Sequence, residues 1–61
     1  MKKKIIILDF ATAETHVFDY DEGTFEDFYD FIEAVNEEFD LHLSESNCEW
    51  MVVKKLNIQI H

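Results

Sequence analysis

The sequence predicts an α+β domain: a mainly antiparallel sheet, ββα followed by two or three strands, with one amphipathic helix packed on one sheet face. Three observations carry that expectation. The chain opens with an Ile-rich run, residues 25–39 repeat large apolar side chains at helical spacing, and residues 48–60 alternate apolar with other side chains.

Residues 3–10 contain Ile5, Ile6, Ile7 and Leu8 and read as a strand. Ala11-Thr12-Ala13-Glu14 is the expected turn, and Thr15–Tyr20 alternates as the returning strand. The turn lacks an Asn-Gly signal, so the hairpin rests on its strands. Asp21-Glu22-Gly23 then breaks the pattern. Thr24 reads as a helix N-cap with Asp27 in the capping-box position. Phe25, Phe28, Ile32, Val35 and Phe39 follow on one helical face, which predicts a helix over 25–39, about 22 Å long. Leu41-His42-Leu43 offers a short strand, and Ser44–Asn47 is a polar turn. Cys48, Trp50 and Val52 share a strand face, and Leu56, Ile58 and Ile60 keep that parity. Lys54-Lys55 interrupts the run. A break into two strands is favoured over a bulge, because one strand over 48–60 would overhang a partner over 3–10.

Composition narrows the function. The 61 residues read as a single domain, 1–61, with 48% apolar residues, too many for a disordered acidic tail. There are 14 Asp and Glu against 5 Lys, a net charge of -9. A direct nucleic-acid binder is normally basic, so none is expected here. A chain this short has little room for a packed core and an enclosed catalytic pocket together. No apolar run is long enough to cross a bilayer, and Asp9 ends the opening run before it reaches the length of a secretory apolar region. Cys48 is the only cysteine, and an unpaired thiol fits a reducing cytoplasm. Small domains without disulfide or metal need a second subunit or a dense core, and six Phe, two Tyr and one Trp make the latter available.

Charge is segregated. All 14 acidic residues lie between Asp9 and Glu49, and all 5 lysines lie outside, at 2–4 and 54–55. On the predicted helix, Glu26, Asp27, Asp30, Glu33, Glu37, Glu38 and Asp40 oppose the aromatic stripe. Like-charge neighbours at 26/30, 27/30, 30/33, 33/37 and 37/40 cost on the order of 0.2–0.5 kcal/mol each. Glu37, Glu38 and Asp40 also occupy the helix end that prefers cations. Such a face is expected to meet a basic protein surface. Seven carboxylates over ~22 Å give about one per 3 Å, near the ~3.4 Å spacing of phosphates along a DNA strand. In charge layout and size this resembles small phage and mobile-element proteins that mimic DNA. The competing reading is that acidity only keeps a small protein soluble.

A second expectation concerns the sheet. Ile5, Ile7, Val17, Met51 and Val53 are read with a parity opposite to Ile6, Leu8, Phe18, Trp50 and Val52. Both sets are apolar and one helix covers one face. The first set, with Ile58 at the C-terminal edge, is therefore the expected surface for a homo-oligomer or an assembly partner.

Other constellations are weaker. Asp19-Tyr20-Asp21-Glu22-Gly23 resembles the start of an EF-hand loop, but the glycine is fifth and Asp30 stands where a bidentate Glu belongs. Cys48, His16, His42 and His61 lack paired metal-ligand spacing, so no metal or other cofactor is expected. There is no Gly-rich phosphate loop or Ser-centred nucleophile motif. Lys2, Lys3, Lys4, Lys54 and Lys55 flank Ile-rich strands in the manner of residues that suppress aggregation. The expectation is a cytoplasmic, non-enzymatic binding module without membrane or nucleic-acid contact. The alternative is a structural subunit held through its sheet face.

Overall fold

The computed structural model describes residues 3–61. Strand β1 (Lys3–Asp9), strand β2 (Glu14–Tyr20), helix α1 (Phe28–Phe39) and strand β3 (Cys48–Val53) follow in chain order, with a 3-10 turn at Glu45–Asn47. The sheet order is β2-β1-β3, and both pairings are antiparallel. The α+β architecture with one helix over one sheet face is therefore present. One strand follows the helix, in place of the two or three expected.

The continuous apolar run Ile5–Leu8 suits the central position, since its strand has a neighbour on each side and apolar residues of both parities. Register decides which parity meets the helix. Ile5 stands opposite Phe18 and Val52, Ile7 opposite His16 and Trp50, and Asp9 opposite Glu14 and Cys48. Ile5 and Ile7 are both 0% exposed. They form the core with Phe28, Phe31, Ile32 and Val35 of α1, and with Leu43 and Cys48. Phe31 is the hub. The rings of Phe18, Tyr20 and Phe25 meet it edge to face at 5.8, 5.2 and 5.0 Å between centroids. Phe28 stacks on Trp50 at 4.6 Å.

This register corrects one expectation. Ile5 and Ile7 do not share a face with Val17, Met51 and Val53. Ile6 and Leu8 do, since Ile6 pairs with both Val17 and Met51. Alternation is fixed within a strand, but the phase between strands is set by register, and an Ile-Ile-Ile-Leu run carries no phase.

The turn that sets this register depends on Asp9. Its carboxylate accepts from the Ala11 N–H at 3.0 Å and from the Thr12 hydroxyl at 3.0 Å. Ala13 closes the turn in the left-handed region, at φ 58°. That explains a buried carboxylate at the end of an apolar strand: its oxygens replace water for the turn.

The helix starts later than expected. Thr24 ends a turn, its N–H donating to the Asp21 carbonyl at 3.0 Å, while the Gly23 N–H donates to Asp21 Oδ1 at 3.2 Å. Asp27 is the N-cap, its carboxylate accepting from the Asp30 N–H at 2.9 Å. Phe25 precedes α1 and still packs on Phe31. With Asp19 inside β2 and Asp21 holding a turn, no EF-hand loop forms.

Leu41–Leu43 is not a strand. Asp40 takes the left-handed conformation, and the Leu41 N–H donates to the Asn36 carbonyl at 3.0 Å. The Asn36 side chain then grips Leu43 from both sides, donating to its carbonyl and accepting from its N–H at 2.9 Å each. Those backbone groups are thereby unavailable to the sheet. The expected break at Lys54-Lys55 is present, but residues 56–61 form no strand. β1 already has two neighbours, and two lysines lack the positive-φ preference of a tight hairpin turn.

Truncating the hub tests the packing. Phe31→Ala should cost about 3–5 kcal/mol, much of the stability of a domain this size. Urea unfolding followed by circular dichroism should show either that loss or an unfolded chain. A cost below about 1 kcal/mol would contradict the hub role.

Candidate functional site

The structure sorts the seven helix-region carboxylates into four groups. Glu26 and Asp27 precede α1, and Asp27 spends an oxygen on the N-cap bond. Asp30, Glu33 and Glu37 lie on one stripe opposite Phe28, Phe31, Ile32 and Val35, as 100° per residue requires. Glu38 is rotated to the flank, beside a hollow lined by Phe18, Asp19 and Phe39. Asp40 forms the C-cap. The expected row of seven therefore contracts to a stripe of three, with roughly 5 Å of helix rise between neighbours. That is wider than the ~3.4 Å phosphate repeat.

The shorter helix also lowers the repulsion. The 26/30, 27/30 and 37/40 pairs do not lie within helix, and 30/33 and 33/37 remain. At 0.2–0.5 kcal/mol each, they cost roughly 0.5–1 kcal/mol together. The last turn holds no basic residue to offset Glu37 and Glu38.

Two lysines of the first strand are engaged elsewhere. Lys3 pairs with Glu22, and Lys4 pairs with Asp19. Glu14 and His16 approach to 3.9 Å. Among the described residues, no ion pair reaches a carboxylate of the helix stripe. Lys2 lies outside the described residues.

Beside the stripe runs a groove of about 680 Å³, lined by Tyr29, Ile32, Glu33, Asn36, Leu43 and the 44–46 turn with Glu45. The Asn36–Leu43 clamp holds its far wall. Tyr29 is exposed and stands one helical turn before Glu33. An aromatic ring and two carboxylates lining one groove suit a lysine or guanidinium group, through charge and cation–π attraction together. Sequence reasoning did not identify this groove, because Glu45 reaches it through the loop. The i, i+4 spacing of Tyr29 and Glu33 was its one visible sign.

The second candidate surface is the sheet face away from the helix. Val17, Met51 and Val53 lie on it, joined by Ile6 and Leu8. Ile58 lies in the irregular tail, 67% exposed, and on no strand of this sheet.

Two further groups have structural explanations. Asp9, Glu14 and His16 bring one ligand atom each within 4.8 Å of one another, but both Asp9 oxygens already hold the turn. Cys48 is buried opposite Asp9. Burial pushes its thiol pKa up, and the Asp9 carboxylate pushes the same way, against a backbone hydrogen bond at Ser44. A raised thiol pKa is the reverse of what an activated nucleophile needs. No helix among the described residues is long and apolar enough to cross a membrane.

Salt tests whether the acidic stripe is unpaired. Screening should raise the melting temperature by a few degrees between about 0.02 and 0.3 M NaCl, since 1 kcal/mol corresponds to about 4–8 °C in a domain this small. A flat or falling response in a thermal scan would mean that cations already pair with the face.

No family model, curated protein or solved structure matches this chain.

Proposed function

We propose that this protein is a small, non-catalytic binding module whose acidic helix face takes a basic protein surface. The observation that carries the reading is the unneutralised stripe Asp30–Glu33–Glu37 beside the Tyr29 groove, while Lys3 and Lys4 pair elsewhere. Keeping these carboxylates unpaired costs stability, and a cationic partner converts that cost into affinity. The stripe supplies long-range attraction. The groove, with Tyr29, Glu33 and Glu45, supplies a place for one Lys or Arg side chain. Glu26, Asp27, Glu38 and Asp40 flank the contact.

The partner class is a basic protein, with nucleic-acid-binding proteins the first to test. In that version the module occupies Lys and Arg groups that otherwise contact phosphates, as a DNA mimic does. The wider carboxylate spacing favours engagement of a few cations over imitation of a continuous phosphate row. A cytoplasmic setting suits the free thiol of Cys48.

The test is affinity capture from nuclease-treated lysate of the native host, with wild type and Glu33→Lys/Glu37→Lys run side by side. The expected result is a basic protein retained at low salt, released by high salt, and reduced at least tenfold with the variant. Circular dichroism confirms that the variant folds. Equal retention by both versions, or a partner that resists high salt, would overturn the reading.

A further inference from the structure

We propose that the uncovered sheet face is the interface of a homodimer, in which two copies pack sheet to sheet and carry their acidic helices on opposite outer surfaces. The face is a small grid of three strands. Val17, Ile6 and Met51 form its middle row. Leu8 and Val53 extend it, and Phe10 continues the parity of Ile6 and Leu8 beyond the end of β1. Phe10 is 64% and Met51 54% exposed, which is high for large apolar side chains in a chain with so small a core. One helix covers the other face, and among the described residues no further helix or strand is present to cover this one.

Charge and register point to a second copy as the occupant. The molecule is a slab, 33 × 31 × 18 Å. Three strands about 4.8 Å apart, the longest of 7 residues, give a face of roughly 15 × 23 Å, smaller than the ~800 Å² per partner of a standard interface, so the association is expected to be weak and concentration-dependent. Stacking two slabs through their thin dimension gives a nearly isometric particle with a sandwich core, sheets about 10 Å apart.

A chain of net charge -9 repels its copy through most of its surface. The open face is the exception. Lys4 and Asp19 pair on it, and Glu49 stands at the far corner. Lys54 and Lys55 follow directly on Val53. The acidic stripes point away from the interface, with two sheets between them, so they are separated by more than the ~8 Å screening length at physiological salt.

Register selects the symmetry. A two-fold axis running along β1 would set Lys4 on Lys4 of the second copy. An axis across the strands, through Ile6, avoids that clash. It sets Ile6, Val17 and Met51 each against its own counterpart. Lys4 then lies over Leu8, Asp19 over Thr15, and Val53 over Glu49 of the second copy. That last overlap brings Lys54 and Lys55 to Glu49 of the other subunit. The contact is self-complementary, as a closed two-fold interface requires.

Sedimentation equilibrium between about 1 µM and 1 mM tests the proposal. The expected mass rises with concentration toward twice 7.3 kDa. Met51→Glu should weaken the dimer at least tenfold with an unchanged circular dichroism spectrum, and Leu8→Glu provides a second variant if the first does not fold. Glu33→Lys/Glu37→Lys should leave the dimer intact, which separates this result from that of the acidic face. Glu49→Lys should weaken association about two- to fivefold, as expected for a rim charge, and adding Lys55→Glu should restore it. A wild type that stays monomeric throughout overturns the proposal. So does a dimer that survives both Met51→Glu and Leu8→Glu, or one lost on Ile58→Asp instead. Failure of the double charge exchange to restore association overturns the two-fold arrangement.

Discussion

A single helix can cover only one face of a three-stranded sheet, and the rest of this molecule follows from that constraint. α1 closes over Ile5 and Ile7, and Phe31 sits at the centre of the aromatic cluster that joins it to β2. Everything apolar on the other parity of the same strands is left outside. The helix in turn has one buried side and one side for solvent, and the chain has filled the latter with carboxylates. The result is two chemically distinct surfaces, one acidic and one apolar, on opposite sides of the helix–sheet pair.

The loops serve this division by fixing register and direction. Asp9 holds the β1–β2 turn, and that turn determines that Ile5 and Ile7 face the helix while Ile6 and Leu8 face out. A one-residue slip would exchange the two sets. At the other end of the core, Asn36 binds the Leu43 backbone and steers the chain from the helix back to β3. The same clamp shapes the groove beside the acidic stripe. Side-chain hydrogen bonds to backbone therefore position both candidate surfaces, Asn36 from the wall of the groove and Asp9 from within the core.

The legible parts of the sequence were those with a strong internal period. Phe28, Ile32, Val35 and Phe39 identify the helix by themselves, and Cys48, Trp50 and Val52 identify the inner face of β3. The helix start was hidden because Thr24 and Asp27 are both good caps, and the local Asp21–Thr24 turn takes up the first while Asp27 caps α1. The phase of β1 was hidden because a run of four apolar residues looks the same from both faces. The C-terminal tail has a strand's alternation, yet alternation requires a partner edge in correct register to become a strand. Of the acidic site, composition and segregation were visible, while its contraction to Asp30, Glu33 and Glu37 followed from where the helix begins. Tyr29 and Glu45 join that site only in three dimensions.

The central claim is that cation recognition belongs to the helix face and not to acidity in general. Amide chemical-shift mapping by NMR, with a short oligolysine peptide titrated at low salt, tests it directly. The account predicts perturbations centred on Tyr29, Asp30, Glu33 and Glu37, with Ile6, Val17 and Met51 unmoved. Perturbations spread evenly over every acidic residue, or centred on Asp19–Glu22 at the β2 end, would contradict it.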